Sequence, residues 1–245
     1  MPISRRLDVA VSVTQRVDAA IGRFDGSGFD SYAIPEQKPR WRGRLHAWAF
    51  FVSVPLGFVL VGFVATEPST RAVAGIYAAS LTGLYAASAL HHRYLGTPRG
   101  RPWMRWLDHS MIYLLIAGTF TPICFVTLHR WRAPVLGAMW VAAALGVGIK
   151  VTRWRRLRRT GGALYLVMGW AAVLAIPQFA HRLSLGALLL MGLGGLLYTC
   201  GAVILFRRRP DPNPAVFGYH EVWHACVVGA SACHYAMVAL ALARA

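Results

Sequence analysis

Long apolar runs alternate along this chain with short polar stretches rich in arginine. Seven runs stand out, at residues 47–66, 72–92, 108–128, 133–149, 161–180, 183–206 and 219–243. Crossing the hydrocarbon core of a bilayer takes about 20 apolar residues in a helix, with roughly 17–25 tolerated, so each run predicts a spanning helix. The fourth is short, and the seventh carries Glu221. The connections leave no room for a folded soluble unit, and backbone polar groups inside lipid must be satisfied within their own segment. The expected architecture is an all-α integral membrane protein of seven transmembrane helices. Residues 46–245 would form the membrane domain, and residues 1–45 a basic N-terminal segment. In that segment, residues 7–24 put Ala10, Val13, Val17, Ala20, Ile21 and Phe24 at helical spacing, with Arg16 and Arg23 elsewhere on the wheel. This reads either as an amphipathic helix in the membrane interface or as a disordered tail. Gly, Ser and Pro in 26–39 suggest a link into the membrane domain. With no apolar stretch ahead of Ala47, the first helix itself is expected to direct insertion.

Composition supports the membrane reading and charge orients it. The 245 residues are 56% hydrophobic and 14% charged, well below the roughly 25% charged residues of soluble domains. Mean hydropathy is +0.46. Twenty-six Lys and Arg face nine acids, a net charge of +17. In a soluble protein that surplus would suggest nucleic acid. Here the arginines sit at the ends of apolar runs, where they meet anionic headgroups, so membrane lipids and not nucleic acid are the expected partners. The N-terminal segment and the connections after the second, fourth and sixth helices hold eight, four, six and three Lys and Arg, twenty-one against five on the other side. Positive charge stays inside. The N-terminus is thus expected in the cytoplasm and the C-terminus outside, in a multi-pass protein of the plasma membrane. Cys124, Cys200, Cys226 and Cys233 all lie in apolar runs without a CxxC pair, which predicts buried packing residues and no disulfide framework.

Ionisable groups within spans are expensive and are the first place to look for function. They cluster at three points: Ser88 with His91 and His92, Asp108 with His109, and His220-Glu221-Val222-Trp223-His224, followed by His234. In a seven-helix chain the second helix ends on the side where the third and seventh begin, so these groups share one face, the cytoplasmic one. Four residues return a helix to nearly the same side, about 6 Å along. His220 and His224 therefore point together, and Ser88 lies one turn from His92. Two imidazoles at that spacing plus a third from another helix make a three-His Zn2+ site with one position left for water. Asp108 could take that water's proton as general base. The HExxH match at 220–224 also fits a zincin protease with Glu221 as base. However, no acid follows Glu221 and His234 is about 15 Å deeper by helix rise, so that motif's downstream third ligand is missing. His91 and His109 are expected beside the site, and His234 as structural.

Three stretches carry a resemblance: LYAASALHHRYL from Leu84, WLDHSMIYLLIAGTFTP from Trp106 and FGYHEVWHACVVGASACHY from Phe217. They resemble the signature regions of the hemolysin III family, the bacterial branch of the progestin and adiponectin receptor group, which is similar more distantly to alkaline ceramidases. The segment from Lys38 to His46 is similar to that family's lead into its first helix. The resemblance spans the chain from about Lys38 to Ala243. It implies seven helices with the N-terminus inside, a zinc site near the inner leaflet ligated by His92, His220 and His224, Asp108 holding the water, and Ser88 as the accompanying polar residue. The family usually has Tyr where this chain has His91, which leaves the ligand register open by one position, although the Ser88 spacing favours His92. Receptor members can carry Gln at the position of Glu221.

Three functions follow as expectations: a zinc-dependent lipid amide hydrolase acting on an N-acyl, ceramide-like lipid; a receptor or binding protein with structural zinc; and a lytic membrane protein. The charge bias sets the first test. A cysteine placed at Arg156 should resist an impermeant thiol reagent in intact cells while one at Arg130 is labelled. The reverse labelling would invert the topology and move the site to the outer leaflet.

Overall fold

The computed structural model describes residues 39–93, 100–151 and 155–244. The expected amphipathic helix at 7–24 and the link at 26–39, apart from Pro39, lie outside them. Among the described residues, seven helices are long and apolar enough to cross a membrane. They are α1 (Arg44–Val64), α2 (Pro68–Arg93), α3 (Arg101–Thr127), α4 (Arg132–Val151), α5 (spanning part Ala163–Arg182), α6 (Leu185–Arg207) and α7 (Tyr219–Leu242). The described residues contain no strand, only an isolated bridge between Asn213 and Phe217.

Local chemistry explains where the helices start, stop and bend. The Ser184 side chain accepts from the Ala187 N–H and so caps α6, supplying a partner to one of its orphan donors. At α7 the Glu221 carboxylate reaches back to the Gly218 N–H, the reciprocal half of a capping box. In α5 the helix tightens to a 3-10 turn at Ala171–Ala175, immediately before Pro177. Pro177 has no N–H to continue the ladder, which accounts for the break.

The outer surface is what a lipid-facing bundle requires. Phe63 is 83% exposed and Leu174 is 85% exposed, large apolar groups that would be a liability in water and are at rest in hydrocarbon. Because lipid is as apolar as leucine, helix association here relies on close packing of small residues more than on the hydrophobic effect. A Cβ at Gly118 would meet the Ser80 side chain on α2, and one at Gly201 would sit 3.0 Å from Cys226 and Trp223 on α7. Through such contacts α7 packs against α1, α2, α3 and α6, and its N-terminal end is the hub of the polar cluster described below.

The structure adjusts three expectations. Helix α3 begins at Arg101, so Asp108 lies nearly two turns inside it and not at its start. A helix already runs from Arg155, so most of the arginine run at 153–159 forms the entry to α5 and not a loop. Of the cysteines, Cys124 is buried as expected, but Cys226 and Cys233 are half-buried and Cys200 is exposed on the outside of α6.

The contact of α3 with α4 offers a test of this packing. A Cβ at Gly146 would run into the Tyr113 ring, whereas one at Gly148 meets nothing within 4 Å. Overpacking a tight contact typically costs about 1–3 kcal/mol. Gly146→Leu should lower the thermal unfolding midpoint in detergent, and Gly148→Ala should leave it in place.

Candidate metal centre

Three imidazoles meet where α2 ends and α7 begins. His92, His220 and His224 are 7%, 5% and 1% exposed, and each offers a ring nitrogen lying within 4.8 Å of the other two. The His92 and His220 Nε2 atoms are 3.2 Å apart. Ring centroids are 4.6 Å apart for His220 and His224, 4.8 Å for His92 and His220, and 4.9 Å for His92 and His224. The pair on α7 converges because it is spaced at i and i+4; His92 arrives because α2 descends to the same face.

The donor set fits a metal. Nitrogens bound tetrahedrally at 2.0–2.1 Å from zinc stand about 3.3 Å apart, close to the 3.2 Å between His92 and His220. The His224 Nε2 is buried without a hydrogen-bond partner. An orphaned buried nitrogen is costly, and a cation shared by the three rings would satisfy it. Neutral imidazoles suit zinc and its neighbours among transition metals better than calcium or magnesium, which select oxygen. The three residues could therefore hold a metal ion.

Asp108 comes to the edge of this cluster. Its Oδ2 lies 4.0 Å from the His92 Nε2, and its side chain is 13% exposed. That is too long for a direct hydrogen bond but within reach through one water. Ser88 is buried one turn from His92, and its hydroxyl is 2.7 Å from the His46 Nδ1. His91 is half-buried with its ring tilted 4.9 Å from His92, and it is His92 that joins the cluster. His109 donates from Nδ1 to the Arg105 carbonyl at 2.6 Å. His234 packs on Gly194 of α6, its Nε2 3.4 Å from the Met191 carbonyl.

Two participants were not picked out as site residues from the sequence. His46 is 2% exposed and lies flat against His224, ring centroids 3.8 Å apart at an interplanar angle of 12°. Arg42 pairs with Glu221, Nε to Oε1 3.1 Å, while the other Glu221 oxygen accepts the Gly218 N–H at 3.0 Å. Glu221 is 0% exposed, and with both oxygens engaged it serves the helix start and the ion pair, which takes away the geometric support for a zincin base. The parity argument that gathered α2, α3 and α7 applies equally to the start of α1, and it would have found His46.

Arg42 belongs to a strap laid across the ends of α2 and α7, and His46 follows it in the first turn of α1. The Arg40 and Trp41 N–H groups donate to the Ala215 and Val216 carbonyls, each at 3.1 Å. Gly43 turns with φ 72°, and a Cβ there would sit 2.7 Å from the His92 Cβ. Glycine is needed twice over, for the left-handed conformation and for the close approach.

Comparisons with known proteins show the family. A family model described as Haemolysin-III related matches residues 35–235. The chain belongs to that family. Hemolysin-3 of Bacillus cereus is 32% identical over 193 residues, covering 76% of this chain and 84% of that protein. A Hemolysin-3 homolog of Bacillus subtilis is 30% identical, covering 76% and 86%. Progestin and adipoQ receptor-like protein 1 of Caenorhabditis elegans is 32% identical over 149 residues, 53% of this chain and 34% of that protein. As a haemolysin-III related chain with seven candidate spans, this is a multi-pass protein of the cell membrane.

Protein purified without chelators should carry one transition-metal ion per chain by elemental analysis, and His220→Ala should lose it. Gly43→Ala, which forces the strap against His92, should weaken retention of the metal under a chelator challenge. Full metal in His220→Ala would refute the site.

Proposed function

We propose that this protein is a zinc-dependent hydrolase of lipid amide bonds, with its centre in the cytoplasmic leaflet. The observation that carries the reading is a carboxylate, Asp108, poised 4.0 Å from one of three buried, converging imidazoles. Three protein ligands with an acid just outside them match an open, catalytic arrangement better than a closed, structural one. The orientation follows from the excess of Lys and Arg on this face.

His92, His220 and His224 would hold the zinc ion, which supplies Lewis acidity and makes water acidic enough to ionise near neutral pH. Asp108 Oδ2 accepts a proton from the attacking water and returns it to the amide nitrogen as the C–N bond breaks. The products are a fatty acid and a free amine. The Ser88 hydroxyl can donate to the amide carbonyl when His46 carries its proton on Nδ1. An N-acyl lipid would approach from the bilayer, where its acyl chain is at rest.

A receptor or binding role with structural zinc is the alternative, supported by the similarity to proteins named as receptors, among them the Adiponectin receptor protein of Drosophila melanogaster at 29% identity over 53% of this chain. A lytic role, suggested by the names of the Bacillus relatives, has weaker physical support. The described spans carry their charged residues near the helix ends, not in the stripes an aqueous pore needs.

Asp108→Asn separates hydrolase from binding protein. Asparagine keeps size and polarity but cannot accept the proton, and general-base assistance contributes about 10²–10⁴ in rate. Cleavage of ceramide-like or other N-acyl lipids should fall by that order while zinc content is retained. Wild-type protein that holds zinc and cleaves none of these lipids above the Asp108→Asn level would favour the binding role. Glu221→Gln should lose stability, because Arg42 loses its charged partner, yet keep its rate per folded molecule.

A further inference from the structure

The His46 ring touches both halves of the centre without joining the metal-ligand cluster. It rises from the first turn of α1 and lies between two residues that the site would use. On one side its face covers His224 at a centroid distance of 3.8 Å, nearly parallel at 12°. On its edge, Nδ1 is 2.7 Å from the Ser88 Oγ on α2. Tyr85, also on α2, packs edge-on at 5.3 Å. The ring is 2% exposed, so packing and not solvent sets its orientation.

We propose that His46 is the positioning residue of the metal centre: it fixes the plane of His224 by stacking, and Ser88 tethers it in that place. The proposal rests on the metal-centre reading above. A histidine ligand can rotate about its Cβ–Cγ bond, and its nitrogen lone pair points at the metal over only a narrow range of that rotation. Groups that lock the ring plane commonly change metal affinity by 10–100-fold when removed. A coordinated imidazole is electron-poor and the His46 ring beside it is electron-rich, so their stacking is favourable. The hydrogen bond between His46 and Ser88 holds the stacking partner in turn. One residue on α1 thereby ties α2 to α7 at the point where their histidines meet, and the Gly43 turn just before it brings α1 into place.

Two substitutions separate the ring face from the hydrogen bond. His46→Phe keeps an aromatic face against His224 and loses the bond to Ser88. His46→Gln keeps a hydrogen-bonding group for Ser88 and loses the face. Detergent-purified protein is loaded with cobalt(II), whose visible absorption reports ligand geometry, and zinc affinity is measured by chelator competition. His46→Phe should keep the wild-type cobalt spectrum while sharing the partial zinc loss expected of Ser88→Ala, and His46→Gln should change the spectrum and weaken zinc by about 10–100-fold. Ser88→Ala should give an intermediate loss. A wild-type spectrum and affinity in folded His46→Gln would overturn the stacking role, and unchanged affinity in Ser88→Ala would overturn the tether. Wild-type protein that binds neither metal would instead remove the centre itself, and the role of His46 with it.

Discussion

Three imidazole rings packed together at the end of an apolar bundle must find partners for their inward nitrogens, and most of the architecture around them follows from that demand. Water is the usual partner, but these rings are buried, and the His224 Nε2 has no hydrogen-bond partner. Placing such groups in a low-dielectric interior is unfavourable unless something charged and compact meets all three. The convergence of α2 and α7 could thus hold a cation, with the carboxylate of Asp108 beside it.

Holding the convergence in register is the task of the segment ahead of α1. Its backbone hydrogen bonds run to the chain just before α7, its glycine lies against His92, and its arginine engages the glutamate that closes the first turn of α7. Breaking a buried ion pair by removing one partner is strongly destabilising, so Arg42 and Glu221 lock the strap to the helix whose histidines it covers. The same contacts explain why a sequence with an apparent protease motif need not act as one. In a zincin the glutamate faces the metal site as base, whereas here it faces the helix terminus and an arginine.

Membership of the haemolysin-III related family and similarity to proteins named as receptors place one scaffold behind proteins with different names. Fold does not carry function by itself. What this chain offers chemically is a buried three-histidine cluster, an acid 4.0 Å from it and a lipid-facing exterior, and on these the proposed hydrolysis rests.

Seven spans were legible because lipid imposes a length and a composition on any helix that crosses it, and those constraints act residue by residue. The histidine pair on α7 was legible for a similar reason, since helical spacing alone puts His220 and His224 on one side. His92 and Asp108 came next, because parity assigns helix ends to a face. What parity could not give was orientation within that face: that Glu221 turns to Arg42, that Ser88 engages His46, and that His46 stacks on His224. Those outcomes depend on how α1 leans against α2 and α7, which is decided by close packing at Gly43 and along the helices. The start of α3 was misplaced because Arg101, Pro102 and Arg105 look like a loop, yet Pro102 falls in the helix's first turn, where proline is tolerated. Periodicity reports which residues share a side of one helix; only the tertiary structure decides which sides of different helices meet.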